Sequence, residues 1–182
     1  MALSPAQAEK LSQLSKEQLL EFIDMLQKNW WNLQNNYILY LNNQYGDEAA
    51  IDADAHCFSA NAKVQAYRLR KLFGLKDDLQ ALMDVMVLST IWANADYEIN
   101  KIDDQKFNIK VTNCHQQVRR LEDGLGEIPC KPAGIAICEA AAQAINPKAS
   151  VKCLVCPPDE HPEDVWCEWE CELPNHKMYI FT

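Results

Sequence analysis

The 182 residues predict an α+β fold, with N-terminal helices packed with a small antiparallel sheet and two further helices. Long stretches before residue 92 carry apolar residues at helical spacing, whereas the chain after it alternates apolar and polar residues as half-buried strands do. Glycines and an Asn-Pro pair punctuate the boundaries. At 48% hydrophobic and 24% charged, a chain of this length suits one packed domain. We read it as a single domain, 1–182, with a helical part over 1–92 and an α+β, metal-binding part over 93–182.

The first long helix runs from Lys16 to Tyr45, with Leu19, Phe22, Ile23, Leu26, Trp30, Leu33, Tyr37 and Leu41 at helical spacing. Ser15 is its expected N-cap and Gly46 its stop. A second helix starts at Asp47 on acidic residues and ends on Arg68, Arg70 and Lys71 before Gly74, charges that complement the helix dipole. A third is expected from about Asp77 to Trp92. The segment YEINKIDDQKFNIKVTNC then alternates around Asp103-Asp104 and predicts a hairpin with Ile99, Phe107, Ile109 and Val111 facing inward. HQQVRRLEDGLG reads as a short helix stopped by Gly124 or Gly126. Pro132 opens an Ala-rich helix that Asn146-Pro147 closes. Strands are expected near 149–155 and 165–173, and another near 177–181.

A net charge of -9, from 17 basic and 26 acidic residues, argues against nucleic acid or an anionic membrane as partner, since both require a positive surface. The N-terminus lacks an apolar core of signal-peptide length, and no run approaches a membrane span, so the expected location is the cytoplasm. There thiols stay reduced. The eight cysteines are accordingly read as metal ligands, reactive groups or small core residues rather than as disulfides. No Gly-rich phosphate loop, H-x-x-x-H helix or G-x-S-x-G elbow is present.

Cys153 and Cys156 form a C-x-x-C at the end of an expected strand, with Pro157-Pro158 turning the chain directly afterwards, which is a metal knuckle in form. Cys167 lies on the returning strand, and Cys130 sits just before the Ala-rich helix that should cover the sheet. Cys171 shares the face of Cys167 but lies too far along a strand rising ~3.3 Å per residue to reach the same ion. The expected ligand set is Cys130, Cys153, Cys156 and Cys167. Four thiolates suit zinc and equally an iron–sulfur cluster, while reduced core fillers are the alternative without metal.

The intervals of 23, 3 and 11 residues between these four cysteines, with the helix-then-hairpin order, resemble the zinc-bearing 4-vinyl reductase-type domain. The stretch VTNCHQQVRRLEDGLGEIPCKPAGIAICEAAAQAINP is also similar to the C-terminal half of the L-2-amino-thiazoline-4-carboxylic acid hydrolase-like proteins. The likeness covers residues 95 to 173. The second ligand of the pattern is often glutamate, and Cys153 stands there in this chain. The resemblance implies a structural zinc, an apolar ligand chamber beside it, and a homodimer.

Cys114, where a strand meets a helix N-terminus, is a candidate nucleophile. Unsatisfied amides, His115, Arg119 and Arg120 could stabilise its thiolate, with Gln117 and Arg120 orienting an anionic substrate. A buried filler is the plainer reading of such a cysteine. Trp30, Trp31 and Tyr37, with His56, Tyr67 and Trp92, are candidate walls of a ligand chamber, with Asn29, Asn32, Asn35 and Asn36 as polar orienters. The same spacing serves a core or a dimer interface. His161 is expected on a stiff, exposed Pro-rich turn, and Cys57, Cys138 and Cys171 in packing roles. The leading expectation is a zinc-containing domain that binds a small organic ligand, as a sensor or carrier. The alternatives are a hydrolase of a thiazoline or similar C–N ring using Cys114, Gln117 and Arg120, and a dimeric assembly module.

Overall fold

The computed structural model describes residues 3–93 and 95–174. Helices α1 (Pro5–Ser12), α2 (Lys16–Tyr45), α3 (Asp47–Phe73) and α4 (Leu79–Leu88) come first, and a 3-10 turn, Thr90–Trp92, leads to the sheet. Strands β1 (Ala95–Lys101) and β2 (Lys106–Cys114), helices α5 (His115–Glu122) and α6 (Lys131–Ile145), and strands β3 (Ser150–Val155) and β4 (Cys167–Glu172) follow. The α+β expectation holds. The third expected helix is shorter than its periodicity suggests, capped by Asp78 through the amide of Ala81 and interrupted at Ser89. Helix α1 was not expected. Its signal is a capping box, Ser4 with Gln7, and Pro5 in the first turn, on a segment with no buried residue to give periodicity. The strand anticipated near 177–181 lies outside the described residues.

Local signals set the ends of the long helices. Ser15 and Gln18 form a reciprocal capping box at the start of α2, and Gly46 ends it. Gly74 ends α3 in the left-handed conformation, φ 63°, that glycine takes without steric cost. α3 packs on α2 on one side and on α6 on the other, and α6 in turn packs on β3. Sandwiched in this way, α6 is apolar on most of its surface, and Ala133, Ala140, Ala141 and Ala142 allow close approach from both sides.

The sheet is antiparallel throughout, in the order β1-β2-β4-β3. Phe107 faces Cys171, Ile109 faces Trp169 and Val111 faces Cys167 across β2 and β4, all on the covered side. The opposite side carries Lys106 paired with Glu170 at 3.6 Å and Glu172 at 3.3 Å, and Asn108 donating to Glu168 at 2.9 Å. One face is thus core and the other is charged, a common arrangement in antiparallel sheets.

Candidate functional site

Between α3, α6 and the covered face of the sheet lies a cavity of about 120 Å³. Its apolar wall includes Trp31 and Phe58 from the helices, Trp92 from the 3-10 turn, and Trp169 from β4. The Trp31 and Phe58 rings pack 5.7 Å apart, and the Trp31 indole donates to the Thr90 carbonyl at 3.1 Å. Trp92 and Trp169 differ: both are buried, and neither indole N–H has a partner among the described residues. On the far side, Gly134 of α6 lets the Trp169 ring lie against the helix backbone, where a Cβ would come within 2.6 Å of it.

The other wall of the cavity is sulfur and polar groups. Cys130 caps the N-terminus of α6, Cys156 follows β3 and Cys167 opens β4, and all three reach the cavity. The Cys130 and Cys156 sulfurs are 3.7 Å apart. Cys153 and Cys167 lie close enough to Cys156 for their thiols to influence one another's ionisation. A C-x-x-C on a regular strand would put its two thiols on opposite faces. Here the register shifts between Cys153 and Val155: Cys153 pairs with buried Trp169, but Val155 pairs with Glu168 of the outer face. The extra residue, Leu154, reverses the alternation and brings Cys156 to the side of Cys153.

Gln117, fully buried, ties the helix connection to this cluster. Its amide donates to the Ile128 carbonyl at 2.9 Å and lies 3.5 Å from the Cys130 sulfur, while its oxygen accepts from the Ile128 amide at 2.8 Å. The hydrogen bond with Cys156 and the Gln117 amide hold the Cys130 thiol below its ordinary range, and the same bond to Cys130 pushes Cys156 up. Burial raises Cys153. Among the described residues, no three His, Cys, Asp or Glu side chains are spaced as a ready metal site. One edge does fit: four thiolates around zinc at ~2.3 Å have a sulfur–sulfur edge of ~3.8 Å, against 3.7 Å for Cys130 and Cys156.

A buried polar network closes one end. Gln34, inside α2, donates to Asp54 of α3 at 2.8 Å and accepts from Gln116 of α5 at 3.3 Å, and Gln116 also donates to Asn35 at 3.0 Å. Asp54 lines the cavity, and burial raises its carboxyl above the ordinary range despite the bonds from Gln34 and Tyr37.

Of the residues expected to wall a chamber, the cavity takes Trp31 and Trp92. Trp30 and Tyr37 line a separate groove between α2 and α3, and His56 and Tyr67 are exposed. Those four carry helical spacing but lie on faces that turn away from the sheet. Cys114 does reach the cavity, yet burial pushes its thiol up to about 12, which opposes the low-pKa nucleophile expected of it. Gln117 is engaged by Ile128, and Arg120 by the carbonyls of Leu125 and Gly126. Cys138 and Cys171 are core residues as expected, whereas Cys57 is exposed rather than packed. His161 is tied down more than expected, with its ring 5.1 Å from that of Trp166 and 3.3 Å from a Glu127 oxygen.

Sequence reading missed Trp169, Asp54, Phe58 and Gly134. Two of these left a trace. Trp169 sits between Cys167 and Cys171 at the strand period of two, and Gly134 is the one glycine of the Ala-rich helix.

The model of a family of unknown function, DUF6125, matches residues 10–173. A search of the curated proteins finds no match. Among solved structures, a trafficking protein particle complex subunit 3 from Naegleria fowleri, covalently bound to palmitic acid, is similar with a TM-score of 0.47 and 9% identity. The match spans 84% of this chain and 95% of that one.

Proposed function

We propose that this chain, which belongs to the DUF6125 family, is a zinc-containing domain that binds a small organic molecule in the cavity between its helices and its sheet. The observation that carries the reading is the cavity itself, with aromatic side chains on one side and a group of thiols on the other. All eight cysteines are free, as a cytoplasmic setting would keep them. Cys130, Cys153, Cys156 and Cys167 would hold the ion. Four thiolates complete a tetrahedron and leave no position for a substrate, so zinc supplies a link between β3, β4 and the start of α6 rather than a reaction. The 4-vinyl reductase-type spacing of these cysteines supports the same assignment.

A homodimer through α2 belongs to the proposal. Ile23, Leu26, Trp30, Leu33, Tyr37 and Tyr40 follow one another at alternating steps of three and four, the seam of a coiled coil. Leu33 is 65% exposed and Tyr40 61%, so the outer part of that seam has no partner within the chain.

The test is elemental analysis of the purified protein, beside a Cys156→Ser variant and a chelated sample. About one zinc per chain is expected, lost in the variant, with a lower melting temperature in both treated forms because metal affinity is folding free energy here. Iron with a visible charge-transfer band would reassign the cluster, and a melting curve unmoved by complete metal removal would refute the link.

A further inference from the structure

The net charge of -9 conceals a segregation along α3. From residue 55 to residue 76 the chain has no Asp or Glu but five cations, Lys63, Arg68, Arg70, Lys71 and Lys76, which leaves 12 basic against 26 acidic residues elsewhere. One face of α3 is buried, through Phe58, Ala62 and Ala66. The other interleaves charge with apolar bulk in two rows at steps of four, Lys63, Tyr67 and Lys71 beside Val64, Arg68 and Leu72, and all six are exposed. Leu72 is 74% exposed and Tyr67 66%. Phe73, also exposed, ends the helix, and Gly74 turns the chain toward Lys76. Among the described residues none of the five cations is paired with a carboxylate, and Arg70 donates instead to the Ile145 carbonyl at 3.2 Å.

We propose that this face of α3 docks the protein peripherally on an anionic lipid bilayer. Large apolar side chains left open beside unpaired cations match a bilayer interface. The cations meet the headgroup charges there, while Tyr67, Leu72 and Phe73 enter the acyl boundary. The acid surplus on the rest of the chain is repelled by the same surface and so orients the molecule with α3 inward. Nucleic acid would use the cations but gain little from Val64 and Leu72. A second copy docked face to face about a two-fold axis would set cation against cation.

Co-sedimentation of the purified full chain with vesicles tests the docking, using phosphatidylcholine alone and phosphatidylcholine with about one-third phosphatidylserine. Binding is expected to the mixed vesicles only, and it should weaken roughly tenfold between about 0.1 M and about 0.5 M salt. Arg68→Glu with Lys71→Glu should weaken it at least about 25-fold, roughly fivefold for each cation removed from the surface. Lys101→Glu with Lys152→Glu, the same change of net charge placed on the sheet, should leave it nearly unaltered. Leu72→Ser with Phe73→Ser should weaken it roughly tenfold and keep the salt dependence. Melting curves check that each variant is folded, and the lipid and salt dependence of the unaltered chain stands whatever a variant does. Equal binding to phosphatidylcholine alone, binding to neither vesicle, or an equal loss in the sheet variant would overturn the proposal. Tighter binding to a mixed-sequence DNA duplex than to the mixed vesicles would overturn it in favour of nucleic acid.

Discussion

Gly134 and Trp169 show how a single backbone position limits the site. A Cβ at 134 would approach the buried ring within 2.6 Å and 2.7 Å at two carbons. In an open helix, glycine to alanine gains ~1 kcal/mol, but overpacking a closed core costs ~1–3 kcal/mol or more, and the fixed ring makes the second term the larger. Gly134→Ala should therefore lower the urea midpoint, and a rise would mean that the indole moves aside into the cavity. Asp54 gives a pH signature. Burial raises its folded-state value above the ordinary 3.8, so its favourable contribution is complete below the unfolded value and is lost as pH rises through the folded one. Asp54→Asn keeps an acceptor for Gln34 and cannot ionise. Its stability should exceed that of the unaltered protein at pH 7 and match it below about pH 4, as read from denaturation midpoints across that range. A constant difference at every pH would assign the effect to packing.

Among the elements, the join between α5 and α6 is held by Gln117 on its inner side and by Arg120, which donates to the Leu125 and Gly126 carbonyls. Gln117 satisfies both the amide and the carbonyl of Ile128 in a buried place, and it bears on Cys130. Gln117→Ala leaves the Ile128 amide without its partner, while the Ile128 carbonyl keeps the Cys130 amide at 2.8 Å, so the cost should be about 1–3 kcal/mol. Zinc content should fall with it, since Cys130 loses its support. Full zinc occupancy in a destabilised variant would confine Gln117 to the fold. The elements also differ in how legible they were. The bounds of α2 and α3 were readable because a capping box, a dipole-matched charge pattern and two glycines act within a few residues of the chain. The bulge at Leu154 was not, because it is defined by the partner strand: only opposite Glu168 and Trp169 does the extra residue become one.

At the scale of the whole molecule, the exposed seam of α2 makes the association state the telling measurement. Sedimentation should give a dimer for the unaltered chain and a folded monomer for Leu33→Glu, a position that is 65% exposed and so dispensable to the monomer's own core. A monomer before any substitution would remove α2 as an interface. The sequence by itself determined the α+β class, the places of the long helices, the hairpin and the Ala-rich helix, because helical and strand periodicities are local consequences of which face is buried. Of the expected ligands Cys130, Cys153, Cys156 and Cys167, it is the packing of α6 on the sheet that brings Cys130, Cys156 and Cys167 to one cavity. Tertiary structure decided which aromatics share a cavity. Trp31 reaches the Thr90 carbonyl across 59 positions of chain, and Trp169 meets Gly134 only when α6 lies on the sheet. Adjacent Trp30 and Trp31 part company because helical neighbours point about 100° apart, and only the packing of α2 on α3 settles which of the two faces inward.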